Sequence, residues 1–143
     1  EEIVAVLAHE IGHYKKKHIT KSMFLNFIQL GLMLFTLSLF INVPVFNKAL
    51  GAEIPSFHIG IIAFGILFSP LSSIIAIFLN YFSRLNEKQA DLFAKKHQQS
   101  AHLIAALKKL SAQNYSHLTP HPIIVKLNYS HPTLLDRIKQ LQS

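Results

Sequence analysis

The sequence predicts an all-α fold, a membrane-embedded helical bundle whose two transmembrane helices lie between two polar helices. Three observations predict it. Half of the 143 residues are apolar and only 15% are charged, well below the roughly 25% usual in soluble domains. Asp, Glu, Lys and Arg are absent from residues 22–47 and again from 54–83, and each run exceeds the roughly 20 residues that a helix needs to cross the hydrocarbon core. Basic residues flank these runs, with Lys15, Lys16, Lys17 and Lys21 before the first and Arg84, Lys88, Lys95 and Lys96 after the second. The positive-inside rule then places both chain ends on the cytoplasmic side. The net charge of +7 belongs to these flanks, and no exposed basic patch or recognition motif calls for nucleic acid as a partner.

In chain order, residues 1–22 contain no proline and bring Ala5, Ala8, His9, Gly12 and His13 to one side at helical spacing. The first span covers 23–41, and its Asn26, Gln29, Thr36 and Ser38 are expected to face other helices or a cavity. Pro44, Gly51 and Pro55 punctuate a connecting loop over 42–56. The second span covers 57–82. Pro70 lies inside it beside Ser69, Ser72 and Ser73, so a kink is expected, with serines or neighbouring helices satisfying the freed carbonyl.

Residues 83–143 read as a polar helical region. "SRLNEKQADLFAKKHQQ" suits a helix, and "AHLIAALKKLSA" an amphipathic one with Leu103, Ile104, Leu107 and Leu110 on a face. Pro120 and Pro122 break the next stretch, whose "IIVKLNY" is too short to classify. The last helix is marked by His131 near its N-cap and Pro132 at its first position, with Leu134, Leu135, Ile138 and Leu141 at helical spacing. The chain opens inside a helix without a methionine, as expected of part of a longer protein.

The chemistry concentrates at "HEIGH". His9 and His13, four apart on a helix, project both imidazoles from one face, close enough to share one zinc ion. Glu10 lies about 100° round from His9, beside the metal without ligating it, where a general base belongs. Cysteine is absent, so further ligands must be His, Asp or Glu. The longer H-E-x-x-H-x-x-G-x-x-H pattern fails, because Lys16 stands in place of its glycine and Ile19 in place of its last histidine. His18 is off that spacing and reads as a snorkelling interfacial histidine.

A carboxylate is the other candidate third ligand. "NEKQADLFA" offers Glu87 and Asp91 four apart, with Ala90 and Ala94 small enough for close approach to the first helix. On spacing alone this pair suits a solvated helix face equally well. The two spans form a hairpin, however, that returns this segment to the side of His9 and His13. With Glu87 bound, two imidazoles, one carboxylate and a water make the open arrangement of catalytic zinc, and Asp91 is placed to accept the free N–H of a ligand, His9 being favoured.

"AVLAHEIGHYKKKH", "FSPLSSIIAIFLNYFSRLNEKQADLFAKKH" and "LTPHPIIVKLNYSHPTLLDRI" together closely resemble the C-terminal half of the type I CAAX prenyl endopeptidases, integral-membrane zinc proteases of the gluzincin type. The resemblance covers nearly the whole chain in one order. It implies that His9, His13 and Glu87 bind one Zn2+, that Glu10 is the catalytic base and that Asp91 supports the site. It also singles out His131 and Arg137, matching a family H-P-x-x-x-x-R pattern placed near the reacting carbonyl to steady the oxyanion. Lys88 departs from the family, where an aromatic residue usually follows the ligand glutamate, and this puts packing beside Glu87 in doubt.

The expected activity is therefore that of a membrane-integrated zinc metalloendopeptidase. Its partners would be the lipid bilayer and a peptide or protein substrate, prenylated or membrane-associated. Its place would be the bacterial inner membrane, or the endoplasmic reticulum in a eukaryote, with the zinc towards the cytoplasm. The alternatives are a heat-shock type quality-control protease, which shares the zinc and H-P motifs, a non-catalytic zinc-binding membrane protein, and a small channel or transporter subunit.

Overall fold

Seven helices and no strand form among the described residues of the computed structural model, which are 1–41, 43–51, 53–54 and 56–143. The helices are α1 Glu2–Lys15, α2 His18–Phe40, α3 Pro44–Ala49, α4 Phe57–Lys96, α5 Ser100–Gln113, α6 Pro122–Asn128 and α7 Leu134–Gln142. The all-helical class is as expected. Pro55, expected to punctuate the connection, lies outside the described residues.

The helix boundaries differ from the sequence expectation in informative ways. An uninterrupted pattern predicts a helix through residue 22, yet α1 stops at Lys15 and the chain turns at Lys16 and Lys17. Lys17 takes φ 55°, a left-handed conformation usually left to glycine, and α2 starts afresh at His18. The connection holds a short helix, α3, opened by Pro44 at its first turn. The second span and the third-ligand helix are one continuous helix of 40 residues, about 60 Å at 1.5 Å per residue, since no breaker follows Pro70. "IIVKLNY" is mostly α6. The cap of α7 is Thr133, whose Oγ1 accepts from the Asp136 N–H at 3.2 Å; His131 and Pro132 precede it instead of capping and opening the helix.

The chain divides into two compact units, Ser22–Ile75 and Glu1–Lys21 with Ala76–Ser143. In the first, Gly60 is required because a Cβ there would stand 2.4 Å from the Ile41 carbonyl oxygen. Buried Asn47 accepts from the Ser56 N–H at 3.1 Å and donates to Val43 O at 3.3 Å, which ties the connection together. Ser69 Oγ donates to Ile66 O at 3.0 Å, the carbonyl four residues before Pro70 that proline cannot serve. Thr36 and Ser38 donate to Leu32 O and Phe35 O of their own helix, so their hydroxyls need no other helix.

Among the described residues two helices, α2 and α4, are long and apolar enough to cross a membrane. Large side chains along them stand open, Phe24 and Phe27 at 65% and Phe78 at 62% exposure.

In the other unit α1, the polar part of α4, α5 and α7 enclose a small core of Ala5, Ala94, Leu103 and Leu141, flanked by Ala8, Ile104 and Leu107. Leu110, expected on the same face, is exposed. Small residues set the approach of α1 to α4. A Cβ on Gly12 would lie 3.0 Å from both Ala90 Cα and Phe93 Cβ, and Ala90 is wholly buried. This contact aligns the motif face of α1 with residues 87–94 of α4.

Candidate metal centre and active site

His9 and His13 leave one face of α1 with their Nε2 atoms 3.1 Å apart. Glu87 closes a triangle with them: its Oε2 lies 3.6 Å from His9 Nε2 and its Oε1 3.4 Å from His13 Nε2. One donor atom from each of the three residues falls within 4.8 Å of the others, and His9 and Glu87 are buried. This group can hold a metal ion. Burial holds the His13 pKa below its usual value, although Glu87 pulls the other way, and the neutral imidazole so favoured is the form that ligates metals.

Asp91, fully buried one turn beyond Glu87, lies with Oδ1 2.9 Å from His9 Nδ1. The distance suits a hydrogen bond, the alignment is imperfect, and among the described residues His9 Nδ1 has no other partner. Arg137 on α7 grips Asp91 with a fork, Nε donating to Oδ2 at 2.8 Å and Nη2 to Oδ1 at 2.6 Å. Its Nη1 leans towards Glu87 Oε2 at 3.5 Å. The guanidinium is thus engaged by carboxylates, not a free surface cation. A buried carboxylate needs such a partner to stay ionised.

His131 lies over Glu87, Nδ1 to Oε1 at 3.3 Å, with its side chain 63% exposed. The Glu87 hydrogen bond raises the His131 pKa above the usual value, against the opposing effect of burial. Its position depends on α4: Asn80 donates to Leu127 O at 3.1 Å, and Arg84 to Val125 O, Lys126 O and Tyr129 O. These donors satisfy the carbonyl end of α6 and so fix the segment that leads to His131. Periodicity does not single out Asn80 or Arg84; their i, i+4 spacing across the end of an apolar span is the available signal.

Glu10 is exposed and lines, with His9, His13, Glu87 and His131, an open cavity of about 1060 Å3. Its other walls include Ile3, Val6, Leu103, Leu107 and Leu110. Lys88 projects outward, and its carbonyl accepts from Gln140 Nε2 at 2.7 Å, so the departure noted there leaves Glu87 in place. His18 departs most from expectation. It does not snorkel but is 2% exposed, with Nδ1 3.2 Å from His13 Nδ1 and Nε2 3.3 Å from Gln89 Oε1.

Residues 1–143 match the sequence profile of Peptidase family M48 from end to end. The chain belongs to that family. As an M48 chain it is 36% identical over 145 residues to a CAAX prenyl protease 1 homolog of Arabidopsis thaliana, covering 99% of this chain and 33% of that protein. It is 35% identical to CAAX prenyl protease 1 of Saccharomyces cerevisiae (99% and 34%) and 33% identical to a human homolog (100% and 30%). The M48 chain thus spans about a third of the length of these relatives. Among solved structures, that of S. mikatae Ste24p superposes with a TM-score of 0.87 at 29% identity, over 99% of this chain and 36% of that one.

Proposed function

We propose that this M48 chain forms the catalytic end of a membrane-integrated zinc metalloendopeptidase. The observation that carries the reading is the His9, His13 and Glu87 triangle with Glu10 beside it. Three ligands of a tetrahedral zinc, bound at about 2.0–2.1 Å, stand about 3.3–3.4 Å from one another. The imidazole nitrogens are 3.1 Å apart and stand 3.6 and 3.4 Å from the two Glu87 oxygens, and one donor atom from each residue lies within 4.8 Å of the others, near that requirement. Two imidazoles and one carboxylate with an open side also match a catalytic site better than a closed structural one.

Zinc held there would polarise a bound water and lower its pKa towards about 7. Glu10 stands where it would accept a proton from the attacking water and pass it to the departing amine. His131, which lines the cavity, would donate a hydrogen bond where negative charge develops. Arg137 acts through others, holding Asp91 and Glu87 in place. The apolar cavity wall suits an extended peptide with apolar side chains.

The bilayer is supported by exposure. The apolar windows of α2 and α4 are 0% and 17% buried, whereas a core helix of a soluble protein is mostly covered. The basic flanks favour a zinc site on the cytoplasmic side, at a bacterial inner membrane or the endoplasmic reticulum. The names of the relatives support a substrate that ends in a prenylated C-terminal peptide.

Glu10→Gln tests the mechanism. The variant keeps one zinc per chain and loses cleavage of a prenylated peptide in detergent by about 100-fold or more; wild-type cleavage by the variant would remove the mechanism. Preferential cleavage of an unprenylated membrane-protein segment would favour the quality-control reading.

A further inference from the structure

His18 is a buried polar side chain that the catalytic scheme leaves without a task. We infer that His18, backed by Gln89, is a positioning residue that fixes the tautomer and direction of the ligand His13. The inference rests on the zinc reading.

Hydrogen-bond polarity carries the argument. His13 turns Nε2 towards His9 and Glu87, so in the neutral ligating form its proton sits on Nδ1. That N–H faces His18 Nδ1 at 3.2 Å, which must then offer its lone pair. His18 therefore carries its own proton on Nε2, directed at Gln89 Oε1 at 3.3 Å, an atom that only accepts. Each bond permits one direction, and all run outward from the metal face. The rings of His13 and His18 meet nearly edge to face, 5.0 Å apart at 82°, so His18 also limits rotation of the His13 ring. Outer partners of this kind orient a ligand and strengthen it as a donor.

The local backbone is arranged for this contact. On a continuous helix His18 would lie about 140° round from His13, out of reach. The turn at Lys16 and Lys17, with Lys17 at φ 55°, re-aims His18 to the motif side. Gln89 is placed by α4, between Glu87 and Asp91.

The test uses the protein purified in detergent micelles, with zinc affinity measured by competition against a fluorescent chelator. A cobalt-loaded spectrum reports the ligand set. His18→Leu is expected to weaken zinc binding about 10- to 100-fold, and Gln89→Leu a few-fold. His18→Asn, which restores an acceptor near the Nδ1 position, recovers most of the affinity. Zinc affinity in His18→Leu within twofold of wild type, or an equal loss in His18→Leu and His18→Asn with helix content intact, overturns the inference. Should His18→Leu fail to fold, unchanged zinc affinity in Gln89→Leu overturns it and the few-fold loss supports it. His13→Ala separates the two readings: if it binds zinc as wild type does, the metal centre itself is wrong, whatever His18 does.

Discussion

His9 and His13 leave the same helix face four residues apart, yet their outer nitrogens end in opposite environments. His9 points at Asp91, an anion with no exposure, itself gripped by the Arg137 fork. His13 points at His18 and Gln89, a neutral pair. A charged arm and a neutral arm thus brace one candidate metal. The difference teaches how risk is distributed: removing a partner from the charged arm strands an ion in the protein, whereas removing one from the neutral arm strands only a dipole.

The largest effect should follow from breaking the charged arm. Asp91→Ala leaves Arg137 without the carboxylate its fork grips and is expected to lower unfolding stability by about 3–5 kcal/mol, read by denaturant melts of helical circular dichroism, with weaker zinc binding as well. A melt coincident with wild type would mean the ion pair holds nothing together. Next comes the platform shared by both arms. Gly12→Ala forces a methyl group to 3.0 Å from Ala90 Cα and Phe93 Cβ and should cost about 1–3 kcal/mol, while weakening zinc because Glu87 retreats with α4. Stability lost without any change in zinc affinity would separate helix approach from the ligand triangle.

Arg84→Met, which removes the donors to the end of α6, should cost about 1–2 kcal/mol and reduce peptide cleavage through a loosened His131, with zinc affinity unchanged. Coupled loss of zinc would show that α6 supports the metal centre and not only His131. The smallest effect belongs to the far end of the neutral arm. Gln89→Leu should leave stability within about 0.5 kcal/mol of wild type and weaken zinc a few-fold, which chelator competition resolves.

The readable parts of the site were those governed by local periodicity. His9 and His13 at i, i+4 need only one turn of helix, and Glu87 and Asp91 repeat that spacing. Joining the two pairs needed topology, which the charge-free runs supplied. The burial of His18 is not legible, because the pattern runs on as a helix through residue 22 and nothing in the residue type of Lys17 signals a left-handed turn. Local spacing does not mark Arg137, because its partner is 46 residues away on another helix, a separation to which periodicity is blind. His131 and Pro132 suit the start of a helix by residue type, yet Thr133 holds the cap. In each case the missing information was a non-local contact or a single backbone dihedral, not a residue preference.

Zinc K-edge absorption on the loaded protein tests the central claim most directly. The account predicts one zinc per chain with two imidazole shells and carboxylate oxygen, and loss of the carboxylate contribution in Glu87→Ala. A spectrum with fewer than two imidazoles, or one that Glu87→Ala leaves unchanged, would contradict it.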